Sequence, residues 1–298
     1  MQARLAAASR RRSKRVRTGY EDILLAAPAL MILIVFVLVP VVSVFFISLT
    51  NWPIVGTPRF VGLANFARLV SDEVFRAAAR NTLTYTFLLV PAITAASFAT
   101  ALLLNTRLRQ SSALKAIYVL PLVAGIVVTS NIWKGILTSF GPLNQLLESL
   151  RLPPVNFFST QLAIGSVSFT LLWRNFGYYA LFFLAGLKGI DREIYDAAQV
   201  DGSVGWNTFR HITWPLLRPV TLLVVVLNTI GAFQIFAAVY ILTAGGPANS
   251  TISLLNYIYD SGWRFFRMGY AAAQAVIFFL ILFTLSWFQR RHLGSETV

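Results

Sequence analysis

The segment EIYDAAQVDGSVGWNTFRHITWPLLRP, residues 193–219, is a polar stretch in a mostly apolar chain. Asp191, just ahead of it after Gly189 and Ile190, is placed to cap a helix, because a short acceptor side chain there takes up free backbone N–H groups. Glu193 then falls in the first turn, where a carboxylate suits the positive end of the helix. Ile194, Ala197 and Ala198 share a face at i, i+3 and i+4, and the two alanines let another surface approach closely. Asp201-Gly202 predicts the stop, since glycine accepts the left-handed geometry of a C-terminal cap. Ser203 is placed to cap a second short helix carrying Phe209 and Ile212, and Trp214-Pro215 reads as the turn into the next apolar run. The pattern predicts two short helices about a glycine hinge, lying parallel to a membrane.

The membrane follows from composition. The chain is 57% hydrophobic and 12% charged, against about 45–50% and about 25% in soluble domains. A bilayer core of ~30 Å is crossed by ~20 apolar residues. Six candidate spans meet that length: 23–49, 77–104, 113–137, 162–187, 216–242 and 269–288. The first is longer than the ~7–15 residues of a secretory h-region, so it is read as a retained anchor. Pro40 inside it is tolerated in lipid. Residues 60–66, with Phe60, Leu63 and Phe66, suit an outer interface where aromatics sit among headgroups.

Charge sets the expected orientation. There are 25 Lys+Arg against 11 Asp+Glu, and seven of these cations fall within residues 4–17. With no soluble nucleic-acid-binding domain behind it, this run reads as a positive-inside signal and not as a nucleic-acid arm. Arg107, Arg109 and Lys115 at the second connection, Lys188, Arg192, Arg210 and Arg218 at the fourth, and Arg290 and Arg291 after the last span fall on the same side. Both termini are therefore expected in the cytoplasm. The absence of cysteine excludes disulfides and thiolate chemistry.

With these features in view, residues 193–219 resemble the EAA loop of the inner-membrane permeases of binding-protein-dependent ABC importers. Asp196, Ala197, Ala198, Asp201, Gly202, Phe209, Ile212 and Pro215 occupy the motif's places, with Glu193 just ahead. Asp196 stands where that family usually has Glu, Ser203 where Ala is usual and Trp214 where Leu is usual. The segments LTNWPIVGTPRFVGLANFARLV (49–70), RNTLTYT (80–86), FFLAGLKGI (182–190) and VYILTAGGPANST (239–251) are similar to the carbohydrate branch, the maltose- and glycerol-phosphate-like permeases. The resemblance implies an all-α fold of six transmembrane helices, residues 23–290, with a cytoplasmic coupling loop, 188–215, between spans four and five. Residues 1–22 and 291–298 are then cytoplasmic tails of a multi-pass protein of the bacterial cytoplasmic membrane. The implied partners are a second homologous permease subunit, an ATPase dimer seated on the loop and an extracytoplasmic solute-binding protein. No cofactor is expected in this chain; ATP and Mg belong to the ATPase. The implied cargo is a di- or oligosaccharide, with glycerol 3-phosphate or a glycerophosphodiester as the alternative.

Polar side chains within the predicted spans are candidates for the solute pathway: Asn131 and Lys134, then Asn175, Tyr178 and Tyr179, then Asn228, Gln234 and Tyr240, and Gln274. Amides pair with sugar hydroxyls and rings pack on sugar faces, although helix–helix glue is an equal use for any one of them. Arg174 in span four has no evident partner, and a phosphate ligand would require it or Lys134 to face the pathway. A secondary transporter is disfavoured because no acid lies well inside a span. An intramembrane enzyme is disfavoured because both histidines, His211 and His292, lie outside the spans, and TAGGPANST lacks the lysine of a P-loop.

Overall fold

The protein is described here from a computed structural model covering residues 20–105, 118 and 120–294. The basic cluster at 4–17, Arg107, Arg109, Lys115, the start of the third predicted span and residues 295–298 lie outside the described residues. Helix α1 runs through Tyr20–Leu33, a π turn at Ile34–Leu38 and Val39–Ser48. A short hairpin, β1 (Thr50–Asn51) and β2 (Arg59–Phe60), leads to α2 (Ala64–Ser71) and α3 (Glu73–Leu104). Next come α4 (Ile126–Leu137), α5 (Pro142–Ser149), α6 (Ala163–Lys188) and α7 (Arg192–Val200). Helix α8 runs through Trp206–Thr208, a π turn at Phe209–Thr213 and Trp214–Phe233. The chain ends with α9 (Ala237–Leu242), α10 (Leu254–Tyr259, continued by a π turn at Asp260–Arg264) and α11 (Met268–Gly294).

Among the described residues, four segments are long and apolar enough to cross a bilayer: Ala26–Ser48, Glu73–Leu104, Trp206–Phe233 and Met268–Arg291. They correspond to predicted spans one, two, five and six. Predicted span four is α6, 26 residues long, or roughly 39 Å at 1.5 Å per residue. Two predicted spans are not single helices. The third breaks at Ala124-Gly125, where Gly125 has φ 67°, before α4 begins. The fifth breaks at Gln234–Phe236, between α8 and α9. The second break exposes carbonyls that lipid could not satisfy. Ser253 Oγ donates to Ile235 O at 2.5 Å and Asn256 Nδ2 to Phe236 O at 3.3 Å.

The expected turn at Trp214-Pro215 is also corrected, because α8 passes through Pro215 without a stop. The residue before the proline donates five residues back, Trp214 N–H to Phe209 O. The same device precedes Pro40, where Val39 N–H donates to Ile34 O. A proline has no N–H and its ring presses on the carbonyl four residues back; the widened π turn admits it within a continuous helix.

Helices α3, α6 and α8 form the main core, with Tyr85, Leu89, Phe183, Leu184, Leu217 and Val224 buried between them. Gly186 brings α6 onto α8: a Cβ there would lie 2.8 Å from Val220 Cγ2 and 2.9 Å from Leu217 Cδ2. At the opposite end from α7, the polar side of RNTLTYT holds the loop TAGGPANST. Asn81 Nδ2 donates to Asn249 O and Ile252 O, Tyr85 OH donates to Thr251 O, and Thr82 Oγ1 accepts from Leu254 N–H. These polar residues are buried, as expected when irregular backbone must find partners inside the protein. Phe60 and Leu63 of the outer segment stay exposed while Phe66 is half-buried.

At that same end Asp72 joins α2, α3, α10 and α11. Its Oδ1 accepts from Val74 and Phe75 N–H at the start of α3, and its Oδ2 accepts from Tyr257 OH at 2.6 Å and from Tyr270 OH. Burial pushes the carboxyl up, but these four hydrogen bonds outweigh it and hold Asp72 below the usual carboxylate range. Burial, then the bond to Asp72, pushes the Tyr257 phenol up to about 12. The carboxylate's contribution is therefore complete above the ordinary aspartate value and is lost as pH falls through the lower native value. Asp72→Ala should lower stability by about 1 kcal/mol through the lost cap alone, more with both tyrosines unpaired, and should flatten the acid limb of a melting-temperature profile. A variant melting like the wild type at every pH would remove Asp72 from this role.

Candidate functional site

Two sites emerge, one at each end of α8. The first is the loop around α7. Asp191 sits at the N-cap position with extended backbone, φ −60° and ψ 136°, but its side chain accepts no capping bond. The C-terminus is closed more firmly. Ser203 N–H reaches Ala198 O at 2.8 Å and Gly202 N–H reaches Gln199 O at 3.1 Å, with Gly202 at φ 76°. This is the Schellman arrangement, which needs a left-handed residue at the position of Gly202. A Cβ at Gly202 would meet nothing within 4 Å, so the demand for glycine is conformational and not steric. The next helix starts at Trp206 after Gly205, φ 59°, not at Ser203 as expected. Thr208 Oγ1 donates to Ser203 O at 2.8 Å and ties the two sides of the turn together.

The loop is fixed to the bundle by its inward side. Tyr195 OH and Thr213 Oγ1 lie 3.2 Å apart. Phe98 of α3 meets Phe209 at 5.9 Å, Trp214 at 5.8 Å and Phe183 at 5.2 Å between ring centroids. Ile212 and Pro215 are half-buried. The face expected to dock is corrected in one respect: Ala198 is 6% exposed and turns toward its own chain with Tyr195. Glu193, Ile194, Asp196, Ala197, Asp201 and Gly202 remain exposed. Val200, Val204 and Trp206 extend this exposed surface with apolar side chains. The sequence reading missed these three; their signal was apolar residues around a polar Asp-Gly turn.

The second site is a cavity of about 370 Å³ where α3, α6 and α8 meet the break before α9. Four of the candidate pathway residues line it: Asn175, Tyr179, Asn228 and Gln234. Arg174 lines it too, and its NH1 donates to Asn175 Oδ1 at 3.0 Å, the partner the sequence did not reveal. Asn175 Nδ2 is held by Leu171 O at 2.8 Å. Asn228 is 4% exposed and its Nδ2 has no hydrogen-bond partner among the described residues.

The other five candidates lie elsewhere. Lys134 Nζ donates to Ile241 O at 2.8 Å near the end of α9. Asn131 Nδ2 donates one turn back to Val127 O. Tyr178 meets Tyr179 and Phe182 edge-on at 5.1 and 5.2 Å but does not reach the cavity wall. Tyr240 stacks on Phe236 at 5.6 Å. Gln274 is fully buried and donates to Ser261 Oγ at 3.0 Å, joining α11 to the π turn after α10. Periodicity could not separate these from cavity residues, because both lie on inward faces or near helix ends.

Comparison with known proteins gives a consistent picture. Residues 81–293 match the family described as the binding-protein-dependent transport system inner membrane component. The chain is 35% identical over 273 residues to the lactose transport system permease protein of Rhizobium radiobacter, covering 89% of this chain and 91% of that one. It is 31% identical over 283 residues to the trehalose/maltose transport system permease protein of Thermococcus litoralis, covering 93% and 94%. The arabinooligosaccharides transport system permease protein of Bacillus subtilis is 32% identical over 281 residues, covering 91% and 88%. A crystal structure of a bacterial ABC transporter that imports the acidic polysaccharide alginate contains a chain of the same fold, with TM-score 0.82, 22% identity and coverage of 94% and 98%.

Asn228 and Gln274 make opposite predictions. Asn228→Ala removes a buried donor that has no partner among the described residues, so it should cost less stability than Gln274→Ala, while solute uptake should drop. Gln274→Ala leaves Ser261 unpaired and should lower stability by about 1–3 kcal/mol. Thermal melts and uptake at equal membrane abundance separate the two; a destabilised Asn228 variant with normal uptake would make it packing glue.

Proposed function

The chain belongs to the family of binding-protein-dependent transport system inner membrane components, as a carbohydrate ABC-importer permease, and we propose that it passes a di- or oligosaccharide across the cytoplasmic membrane as one of two similar membrane subunits. An extracytoplasmic binding protein delivers the solute, and a pair of ATPase subunits, which bind ATP and Mg, supplies the energy. The sugars for which three relatives are named, lactose, trehalose/maltose and arabinooligosaccharides, support this cargo class. In this reading there are six crossings within residues 23–290: α1, α3, the broken 118–137 run, α6, α8 with α9, and α11. The tails and the 188–215 loop face the cytoplasm.

One observation carries the mechanism: α8 is a single helix, Trp206–Phe233, that starts in the loop and ends at the cavity. The ATPase grips the exposed side of α7 and the apolar side chains of Val200, Val204 and Trp206. When the ATPases close on ATP, α7 moves. The Tyr195–Thr213 contact and the aromatic cluster at Phe98 pass that motion to α8 and α3. The far end of α8 then shifts Gln234 and the break, changing which side of the membrane the cavity faces. No step of this cycle needs covalent chemistry from the chain itself.

Gly202→Val tests the coupling. The left-handed φ at Gly202 would cost a β-branched residue about 1–3 kcal/mol, confined to the loop, so insertion should persist. The angle between α7 and α8 would change, and ATPase activity in reconstituted membranes should no longer respond to loaded binding protein. Wild-type stimulation with wild-type uptake would show that the hinge is not required. Ser203→Cys tests the topology in a chain without native cysteine: an impermeant thiol reagent should label it only after the membrane is opened, and labelling in intact cells would reverse the orientation.

A further inference from the structure

We infer that the sugar passing through the cavity carries an anionic group, and that Arg174 is the residue that selects it; this deepens, and rests on, the carbohydrate reading above. Two cations, Lys134 and Arg174, are the candidates for meeting a charged solute, and the structure separates them. The Lys134 ammonium is held by Ile241 O at 2.8 Å and is not part of the cavity wall. Arg174 projects into the wall from the middle of α6, and the described residues lining the cavity include no Asp or Glu. A guanidinium in a membrane helix that served packing would be expected to face a carboxylate or backbone carbonyls. Here the side-chain bond formed is to the neutral Oδ1 of Asn175, and the buried Nε–H has no partner among the described residues.

The rest of the wall carries no charge to meet it. Asn175 accepts one bond from Arg174 at its oxygen and donates one N–H to Leu171 O. Asn228 is almost fully buried, and its Nδ2, enclosed away from the cavity space, has no acceptor among the described residues. A fixed cation thus lines a space whose other polar side chains, Asn175, Tyr179, Asn228 and Gln234, are neutral. A neutral sugar hydroxyl leaves that charge without a counterion; a carboxylate or phosphate neutralises it and fits the planar fork of arginine. The volume, about 370 Å³, lies within the ~300–1,000 Å³ typical of small-molecule sites. Uronates and phosphoesters share this chemistry. The apolar walls at Leu89, Ile93 and Leu171 and the ring of Tyr179 give a pyranose ring surfaces to pack on, and favour the acidic sugar.

The test uses the transporter assembled with its partner subunits in lipid nanodiscs, and calorimetry with three probes: cellobiose, cellobiouronic acid, which replaces one CH₂OH by carboxylate, and glycerol 3-phosphate. The acid should bind about tenfold or more tighter than cellobiose, the increment of one charge-assisted contact. Arg174→Gln should collapse that ratio, and Arg174→Lys should restore part of it. Equal binding of the two disaccharides by the wild type, a preference for cellobiose, or an acid preference that survives in Arg174→Gln overturns the inference and leaves the carbohydrate reading standing. Binding of glycerol 3-phosphate alone overturns both. Because the wild-type ratio is decisive without any variant, poor folding of Arg174→Gln would not rescue the idea.

Discussion

A helix can stop inside a membrane only if the carbonyls it frees find donors, and the region around the cavity depends on that constraint being met at Gln234–Phe236. Ser253 and Asn256 supply the donors, to Ile235 O and Phe236 O. Because they sit at the start of α10, the loop before α10 must be brought back to the break. That loop, 243–253, has little regular structure, so its own backbone needs partners, and Asn81, Thr82 and Tyr85 provide them from α3. One interruption in a helix therefore demands a second layer of buried polar side chains. The outcome is a pocket with irregular backbone on one wall, the setting in which broken helices are tolerated at membrane depth.

The other end of α8 meets the opposite requirement, continuity. A proline at 215 would ordinarily end or kink the helix, and the loop and the cavity would then be connected by a joint. The π turn at Phe209–Thr213 carries the helix past the proline instead. The polar loop, the spans beside it and the cavity are thus joined by one stiff element, fastened to α3 through Phe98. The hinge is displaced to Gly202 and Gly205, where positive φ is adopted in the loop and not in the span.

These two features also bear on how a buried cation is kept. Arg174 is accommodated beside an asparagine and faces a space, while Lys134 is absorbed by a helix C-terminus. Both read alike in sequence, as lone cations in apolar runs. The difference arises from which element crosses nearby: α9, present because of the break, ends where Lys134 can reach its carbonyl.

Much of this was legible in the residues themselves. Apolar length identified four helices among the described residues that are long enough to cross, because the thickness of the bilayer acts on each segment separately. The α7 helix, its Asp-Gly stop and the left-handed Gly202 were legible because capping is decided by neighbours within a few residues. Even the polar motifs RNTLTYT and TAGGPANST were visible, but not that they bind each other across about 170 positions. The tertiary structure alone decided the break at Gln234–Phe236, the inward turn of Ala198 and the sorting of Asn228 from Gln274. It alone placed Arg174 on the cavity wall. In each case the deciding energy is a hydrogen bond or contact to an element distant in sequence, and no local periodicity records which distant carbonyl a buried side chain will meet.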